Sequence, residues 1–149
     1  MKINLEFRMM KESDFSECAR KFISAFSGEP WNEDWTYEQA YTRIDEMMAS
    51  RMSRGYVVCD GEKIVSMCCG RIMTYLDFKE LWIDEFFVDP EYQGQGIGSR
   101  MIELMRVKLL KENVRYMVLS TDKRYPAVKF YEKNEFEISE SLVFMVNVI

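Results

Sequence analysis

Residues 88–99 decide the fold, and they read Val88-Asp89-Pro90-Glu91-Tyr92-Gln93-Gly94-Gln95-Gly96-Ile97-Gly98-Ser99. This stretch follows an apolar segment, Leu81–Val88, which predicts a strand that the Asp-Pro pair ends. It leads into apolar residues at helical spacing, namely Ile97, Met101, Met105 and Leu109. At such a junction, backbone N–H groups converge on the positive end of the helix dipole, and glycines let an anion approach closely. The stretch therefore predicts a phosphate-binding loop, with a tight turn that holds no ligand as the alternative.

Two other kinds of phosphate loop disagree with this spacing. A Walker A loop needs Gly-Lys-Ser/Thr, and a dinucleotide loop needs a glycine where Ser99 stands. A dinucleotide site also needs an acidic residue about 20 positions later, where this chain has Asn113, Val114 and Arg115. Nicotinamide binding is therefore disfavoured.

The rest of the chain predicts a mixed order of helices and strands. Ser13 is suited to cap a first amphipathic helix, and Thr36-Tyr37-Glu38-Gln39 matches a capping box that opens a second one. Pro126 is suited to start a short helix that runs to about Lys133. The remaining predicted strands are Ile3–Met9, Tyr56–Cys59, Lys63–Ile72, Tyr116–Thr121 and Ser141–Val148, of which the second and third are joined by a hairpin turn at Asp60-Gly61.

Composition narrows the class of protein. The 149 residues, of which 48% are apolar and 30% charged, predict one folded domain spanning residues 1–149. A formal net charge of -5 without a run of Lys and Arg disfavours a nucleic-acid partner. No apolar run approaches the ~20 residues that span a membrane, and the start lacks a signal-peptide core. We therefore expect no membrane partner and a cytoplasmic location.

Cysteine and histidine usage narrows the chemistry. The four cysteines lack a paired C-x-x-C spacing, and the chain contains no histidine. We therefore expect reduced core thiols and no metal site. Catalytic triads that depend on imidazole are excluded, so that carboxylates, tyrosines and water are left for proton transfer.

Two segments carry a resemblance to a known family. Gln93, Gly96 and Gly98 match the signature Q/R-x-x-G-x-G/A directly after a strand. The segment Ala127–Phe136 resembles a later helix and turn of the same family, with Asn134 in place of the usual glycine; asparagine tolerates the left-handed conformation that ends such a helix. On these segments the chain resembles the GNAT family of N-acetyltransferases.

The resemblance implies a fold and a cofactor. The fold would be α/β (α+β), with a single mixed, mostly antiparallel sheet flanked by helices and a splayed strand pair that forms the cleft for acetyl-coenzyme A. A backbone N–H near Phe87 would stabilise charge on the thioester oxygen, and Tyr131 would protonate the departing thiolate, although Tyr131 is alternatively a packed aromatic residue. The implied cofactor-binding residues are Phe86, Phe87, Val88, Gln93, Gly94, Gln95, Gly96, Ile97, Gly98, Ser99, Lys129 and Tyr131.

Adjacent carboxylates in the strand Leu81–Val88 are candidates for the general base. Side chains alternate between the faces of a strand, so Asp84 and Glu85 must point in opposite directions. Burial would raise the pKa of either carboxyl toward the working range. We expect Glu85 to be the base in preference to Asp84, with a structural or substrate-binding role as the alternative.

An aromatic and acidic loop suggests the acceptor. Aromatic faces and carboxylates suit a cation, and the candidate substrate-binding residues are Trp31, Glu33, Asp34, Trp35, Asp84 and Asp122. This loop, Glu29–Trp35, contains a Pro-Trp-Asn-x-x-Trp stretch which, together with Asp84–Val88 and Ser120-Thr121-Asp122, resembles proteins of the aminoglycoside 6'-N-acetyltransferase type. We expect a small cationic amine, such as an aminoglycoside or a polyamine. The alternatives are a solvated loop, a protein N-terminus or lysine as acceptor, and a non-catalytic binder of acetyl-coenzyme A.

The chain ends in an apolar segment, residues 142–149. This segment would be a core strand, an edge strand, a swapped strand or a dimer contact. A homodimer is therefore one of the possible assemblies.

Overall fold

A computed structural model describes residues 4–149, so the predicted start of the first strand at Ile3 lies outside the described residues. The chain forms two compact units, one that ends at Val118 and one that spans Leu119–Ile149. None of the helices in the described part of the chain is long and apolar enough to cross a membrane.

The first unit is built on a sheet of five strands in chain order. The strands are β1 (Leu5–Met9), β2 (Ser53–Asp60), β3 (Lys63–Tyr75), β4 (Phe78–Val88) and β5 (Val114–Val118). Neighbours from β1 to β4 are antiparallel, and β5 is parallel to β4. The hairpin predicted at Asp60-Gly61 is confirmed, because Asp60 pairs with Lys63 and Gly61 has the positive φ of 61° that the tight turn requires. The strand predicted at Tyr116–Thr121 begins two residues earlier than expected.

Three helices belong to the first unit, α1 (Phe15–Phe26), α2 (Tyr37–Met47) and α3 (Ile97–Leu110). The capping box of α2 is confirmed, because Thr36 Oγ1 accepts from Gln39 N at 3.2 Å and Gln39 Oε1 accepts from Thr36 N at 2.9 Å. The predicted cap at Ser13 is wrong, since Ser13 lies inside a short 3-10 turn and α1 begins after Asp14.

Asp14 explains why the chain enters α1 through a turn. Its carboxylate accepts from Lys11 N at 2.7 Å and from both terminal nitrogens of Arg8 at 2.7 and 2.8 Å. These bonds fix the turn before the helix begins, so the first helical residue follows Asp14 and not Ser13.

Helices α1 and α2 cover one face of the sheet with a continuous apolar core. Its members include Cys18, Phe22, Ile44, Met67 and Phe87. Helix α3 contributes a separate set of buried side chains, namely Met101, Ile102, Met105 and Leu109. One of its contacts with the sheet is the bond that Ser66 Oγ of β3 donates to Met101 Sδ at 3.4 Å. All four cysteines are buried and free, as predicted.

A β-bulge interrupts the pairing of β3 with β4. Cys69 lies opposite Glu85, whereas Gly70 lies opposite Ile83, so Asp84 is an extra residue in β4. Cross-strand partners share a face, and Cys69 belongs to the core under α1 and α2. Glu85 therefore faces these helices while Ile83 faces the other side, although regular alternation would place the two residues together.

Only a glycine fits at the β3 side of this bulge. A Cβ added at Gly70 would lie 2.6 Å from the backbone oxygen of Trp82 and 3.0 Å from Leu81 Cδ1. The two strands approach each other too closely here for any side chain.

Strand β4 extends well beyond its pairing with β5. The parallel pairs run from Lys79 with Val114 to Trp82 with Val118, whereas β4 continues to Val88. Within the first unit as described, no strand pairs with residues 83–88 on that side. Within this unit β4 therefore has a free edge beyond Trp82, next to the bulge, and the splaying of a strand pair stays a prediction.

The second unit contains one helix, α4 (Ala127–Lys133), with Pro126 at its start as predicted. The expectation that Asn134 is left-handed is wrong, since Asn134 has a φ of -100° and Glu135 has the positive φ of 70°. The Asn134 side chain instead donates Nδ2–H to the carbonyl of Phe130 at 2.9 Å, which holds the end of the helix in place.

The predicted strand at Ser141–Val148 is also wrong. Residues 142–149 are irregular, and side chains such as Phe144 and Met145 are 80% and 85% exposed. A strand needs a neighbour for its backbone N–H and C=O groups, and among residues 4–149 no strand pairs with this segment. Apolar composition predicts burial in a strand but does not supply that neighbour.

Candidate functional site

The turn after β4 is tied to α1 through Asp89. The carboxylate of Asp89 accepts from Glu91 N at 3.0 Å and from Lys21 Nζ at 2.5 Å. Burial by itself raises the pKa of Asp89, but the bonds from Lys21 and from the Glu91 amide outweigh it, so the pKa lies below its usual value. Asp89 is therefore ionised at neutral pH and fixes the start of the loop.

The glycine loop presents an open backbone surface at the start of α3. Gly94 and Gly96 have φ of 77° and 79°, and no heavy atom lies within 4 Å of the place where a Cβ would stand on either of them. Gly96 is the N-cap of α3, whose first N–H groups have no intrahelical acceptor by geometry, and the first turn carries no acidic residue. This arrangement fits an anion such as a pyrophosphate.

Side chains around the loop differ in what they can offer. Gln93 Nε2 donates to the carbonyl of Val88 at 3.0 Å, so this side chain bridges the loop to the end of β4. Gln95 is exposed, and Ser99 is half-buried. Ile97 and Gly98 are buried, so Ile97 packs its side chain in the core and offers a ligand its backbone N–H only.

The two adjacent carboxylates of β4 pair with different arginines. Asp84 accepts from Arg71 Nε at 2.9 Å and from Arg71 Nη2 at 2.8 Å. Glu85 Oε1 accepts from Arg43 Nε at 2.9 Å and lies 2.7 Å from Arg43 Nη2. Arg71 stands two residues after Cys69 on β3, so it reaches Asp84 from the face that Glu85 also occupies. The predicted opposite directions of the two carboxylates are therefore wrong, because Asp84 is the extra residue of the bulge and alternation fails there.

The environment of Glu85 favours proton transfer near neutral pH. Burial raises the pKa of Glu85, the Arg43 guanidinium lowers it, and the charges of Glu33 and Asp84 raise it again. With all these effects combined, the pKa of Glu85 lies above the ordinary value for a glutamate. A base with a raised pKa is better matched to a proton donor at physiological pH.

The aromatic and acidic loop is partly packed and partly open. Trp31 and Trp35 are half-buried, with their rings edge-on to Phe26 and Phe22 at 5.7 and 4.9 Å between centroids. Trp35 Nε1 donates to Glu33 Oε1 at 3.3 Å, while Glu33 and Asp34 remain exposed. Both the packing role and the open acidic surface expected of this loop are therefore present.

Arg43 joins the loop to the strand, and the sequence predictions missed it. Its guanidinium carbon lies 5.6 Å from the ring centre of Trp35, and the same group contacts Glu85. Arg43 stands three residues after Ala40 and four before Met47, two buried positions of α2, so helical spacing places it toward the sheet. That spacing was the available signal.

An open groove of about 380 Å³ lies beside this cluster, lined by residues of α2 and by Trp35. Its lining residues are Trp35, Glu38, Gln39, Thr42, Arg43 and Glu46. The groove places carboxylates and an aromatic ring next to the Arg43–Glu85 pair, which is chemistry suited to a cationic ligand.

The remaining predicted residues lie in the second unit. Tyr131 is half-buried on α4, with ring centroids 5.3 Å from those of Phe130 and Phe136, and Lys129 is exposed. Bonds from the side chain and the backbone N–H of Arg124 lower the pKa of Asp122 to about 2. The roles assigned to these residues stay predictions.

A family model described as the acetyltransferase (GNAT) family matches residues 15–136. The chain belongs to the GNAT family. It is therefore an acetyltransferase that depends on acetyl-coenzyme A, which confirms the predicted fold, enzyme class and cofactor.

Two GNAT relatives show the range of names in this family. An uncharacterized N-acetyltransferase of Archaeoglobus fulgidus is 26% identical over 144 residues, which cover 92% of this chain and 96% of that protein. A spermine/spermidine N(1)-acetyltransferase of Bacillus subtilis is 29% identical over 66 residues, which cover 43% of each chain.

Solved structures share the GNAT fold over nearly the whole chain. A possible acetyltransferase from Clostridium difficile 630 has a TM-score of 0.83 at 19% identity, with 99% of each chain covered. An aminoglycoside acetyltransferase from an uncultured soil metagenomic sample, in complex with sisomicin, has a TM-score of 0.77 at 17% identity, with 97% of this chain and 96% of that chain covered.

Proposed function

We propose that this GNAT enzyme transfers the acetyl group of acetyl-coenzyme A directly to a primary amine of a small cationic molecule, such as a polyamine or an aminoglycoside. The observation that carries the proposal is the cluster of Trp35, Glu33 and Glu85 next to the open groove on α2. The polyamine and aminoglycoside substrates in the names of the relatives support the same class of acceptor.

The loop and the free edge of β4 hold the coenzyme in this proposal. The backbone N–H groups of residues 94–99 bind its pyrophosphate, with Gly94 and Gly96 leaving room for the phosphate oxygens. Backbone groups of Phe86, Phe87 and Val88, on the side of β4 that β5 leaves unpaired, bind the pantetheine arm. Bound coenzyme supplies an acetyl group as a reactive thioester.

Glu85 acts as the base that makes the acceptor nucleophilic. Its carboxylate accepts a proton from the substrate ammonium, and the amine nitrogen then bonds to the thioester carbonyl carbon while the carbon–sulfur bond breaks. A backbone N–H near Phe87 stabilises the negative charge on the carbonyl oxygen. Tyr131 would donate its phenolic proton to the departing sulfur, in the role that the family resemblance implies, and the second proton of the nitrogen would return to the phenolate through water as the amide forms. Asp84 is the weaker candidate for the base, since Arg71 engages both of its carboxylate oxygens, whereas Arg43 contacts Glu85 at Oε1.

The acceptor is held by groups that prefer a positive charge. Glu33 and Asp34 are exposed carboxylates beside Trp31 and Trp35, and their negative field attracts an ammonium group. Asp84 and Asp122 are further carboxylates that we assign to substrate binding.

The test is a release assay for the free thiol of coenzyme A with acetyl-coenzyme A and a panel of amines. The panel contains aminoglycosides, polyamines, amino acids and short peptides. We expect release with one class of small cationic amine, and a loss of about 10²-fold or more in kcat for Glu85→Gln, since general base catalysis contributes on that scale. Tyr131→Phe should also lose activity.

Glu6→Gln is the matched control. It makes the same carboxylate-to-amide change at an exposed position of β1, at the opposite edge of the β1–β4 array, and we expect wild-type rates. Release with peptides alone would replace the proposal by acetylation of proteins. Coenzyme binding without release with any amine would favour a non-catalytic binder.

A further inference from the structure

Arg43 holds the proposed base by one oxygen. Both of its contacts with Glu85, from Nε at 2.9 Å and from Nη2 at 2.7 Å, reach Oε1. No hydrogen bond to Oε2 is found within the described part of the chain. One carboxylate oxygen is thus fixed from the α2 side, and the other is left for a further donor.

Arg43 is itself fixed by its surroundings. Its guanidinium packs on Trp35 at 5.6 Å, and Trp35 is held in turn by Phe22 and by its bond to Glu33. A planar guanidinium that lies over an indole ring has fewer accessible positions than a flexible ammonium would have. The orientation of Glu85 is therefore set by a chain of contacts from the aromatic loop through α2 to β4.

We propose that Arg43 is a positioning residue for Glu85, which it holds by Oε1 so that Oε2 is presented to the ammonium group of the acceptor. This inference rests on the proposed function, because it assigns Arg43 a role only if Glu85 is the base. It deepens that function by naming the residue that sets the geometry and charge of the base.

The other charged and titratable groups around Glu85 do not lower its pKa as Arg43 does. Glu33 of the loop and Asp84 of β4 are acidic and raise the pKa of Glu85, as burial does. The thiols of Cys68 and Cys69 on β3 are buried and have raised pKa values, so they add no charge at neutral pH. Arg71 faces Asp84 and is engaged with it. Arg43 is thus the cation in direct contact with Glu85.

Removing the guanidinium should change the titration of Glu85. In Arg43→Met the pKa of Glu85 should rise by about one pH unit, the low end for the loss of an adjacent opposite charge, because the Arg43 side chain is 43% exposed. The low-pH limb of kcat/KM should move upward by the same amount. At pH values below the pKa of Glu85 in both proteins, kcat should fall about 10-fold while KM for a cationic amine stays unchanged or falls, because a positive charge has left the site.

The measurement combines two readouts on the full chain. The first is the pH titration of the Glu85 carboxyl carbon by NMR, assigned with Glu85→Gln, which needs no turnover. The second is the pH profile of kcat and KM with the best amine of the panel. Arg43→Lys keeps the positive charge, so the pKa of Glu85 should be closer to wild type than in Arg43→Met. Its kcat should recover less, since an ammonium lacks the planar fork that orients the carboxylate. Arg20→Met, which removes an exposed arginine of α1, is the matched control and should change neither.

The outcomes separate this inference from the function on which it rests. A Glu85 titration that is the same in wild type and Arg43→Met, with turnover intact, would overturn the role of Arg43 alone. A shifted titration with no turnover by the wild-type chain on any amine would overturn the proposed function and the positioning role with it. A lower kcat accompanied by a higher KM and an unmoved titration would show a merely structural role.

Discussion

Replacing Gly70 by alanine tests whether the bulge in β4 depends on the close approach of β3. The added Cβ would stand 2.6 Å from the backbone oxygen of Trp82, whereas carbon–oxygen contacts between strands are normally about 3.3–3.6 Å. The strands must therefore separate by roughly 0.7 Å or more, which is the difference between these distances. Overpacking of a core costs about 1–3 kcal/mol, and we expect the upper half of that range, because the neighbour is backbone and cannot rotate away.

The predicted loss is large enough to measure by thermal or urea denaturation. A cost of about 2 kcal/mol lowers the Tm of a chain of this size by roughly 4–8 °C. Because Glu85 lies next to the bulge, acetyl transfer should decline in the same variant at temperatures where it is still folded. Gly28→Ala is the matched control, since no heavy atom lies within 4 Å of its added Cβ, and its free energy of unfolding should stay within about 0.5 kcal/mol of wild type. A Gly70→Ala protein that unfolds at the wild-type temperature would refute the close contact and the argument for the bulge.

Three further substitutions test other contacts. Tyr56→Phe should be neutral or stabilise by up to about 1 kcal/mol in urea titrations, because the buried Tyr56 hydroxyl has no hydrogen-bond partner in the part of the chain that the structure describes; a clear loss would reveal a partner. Lys21→Met should cost about 2 kcal/mol and weaken the binding of acetyl-coenzyme A in calorimetry, since it leaves the buried carboxylate of Asp89 unpaired; unchanged binding would show that the loop does not need this anchor. The bond from Arg8 lowers the pKa of Asp14, so its stabilisation is present above the unfolded pKa of about 3.9 and is lost as pH falls through the lower folded pKa. Arg8→Met should therefore flatten the fall in the free energy of unfolding below about pH 4, and an equally steep fall in both proteins would contradict this assignment.

The elements next to the glycine loop were predictable because their signals are local. A strand ended by Asp-Pro, glycines that tolerate positive φ and apolar residues at helical spacing all lie within residues 81–110. The capping box at Thr36 is equally local, since both of its bonds join residues three positions apart. Patterns of this kind specify a structure wherever no distant contact competes with them.

The failures occur where a distant residue decides the outcome. Asp14 displaced the expected cap at Ser13 because its carboxylate binds Arg8 of β1. The register shift at Asp84 depends on the absence of a side chain at Gly70 on another strand, which no alternation within β4 reveals. The apolar residues 142–149 predicted a strand, but a strand requires a partner that the sequence does not name.

The candidate site was predictable in its carboxylates but not in its arginine. Asp84 and Glu85 stand out as two acidic residues in an apolar strand, but the opposite directions that alternation predicts for them are lost at the bulge. Which of them is buried against a helix, and which cation meets it, depends on how α2 packs on the sheet. Arg43 therefore became visible only once α2 and β4 were placed together.

Because all four cysteines are buried, the folded enzyme should not react with thiol reagents. Such reagents react with thiolates, and burial both shields Cys18, Cys59, Cys68 and Cys69 and raises their pKa values. Any colour that a disulfide reagent develops during turnover therefore comes from coenzyme A set free. Without substrate, a slow reaction of the reagent with the four buried thiols would instead measure how often the core opens.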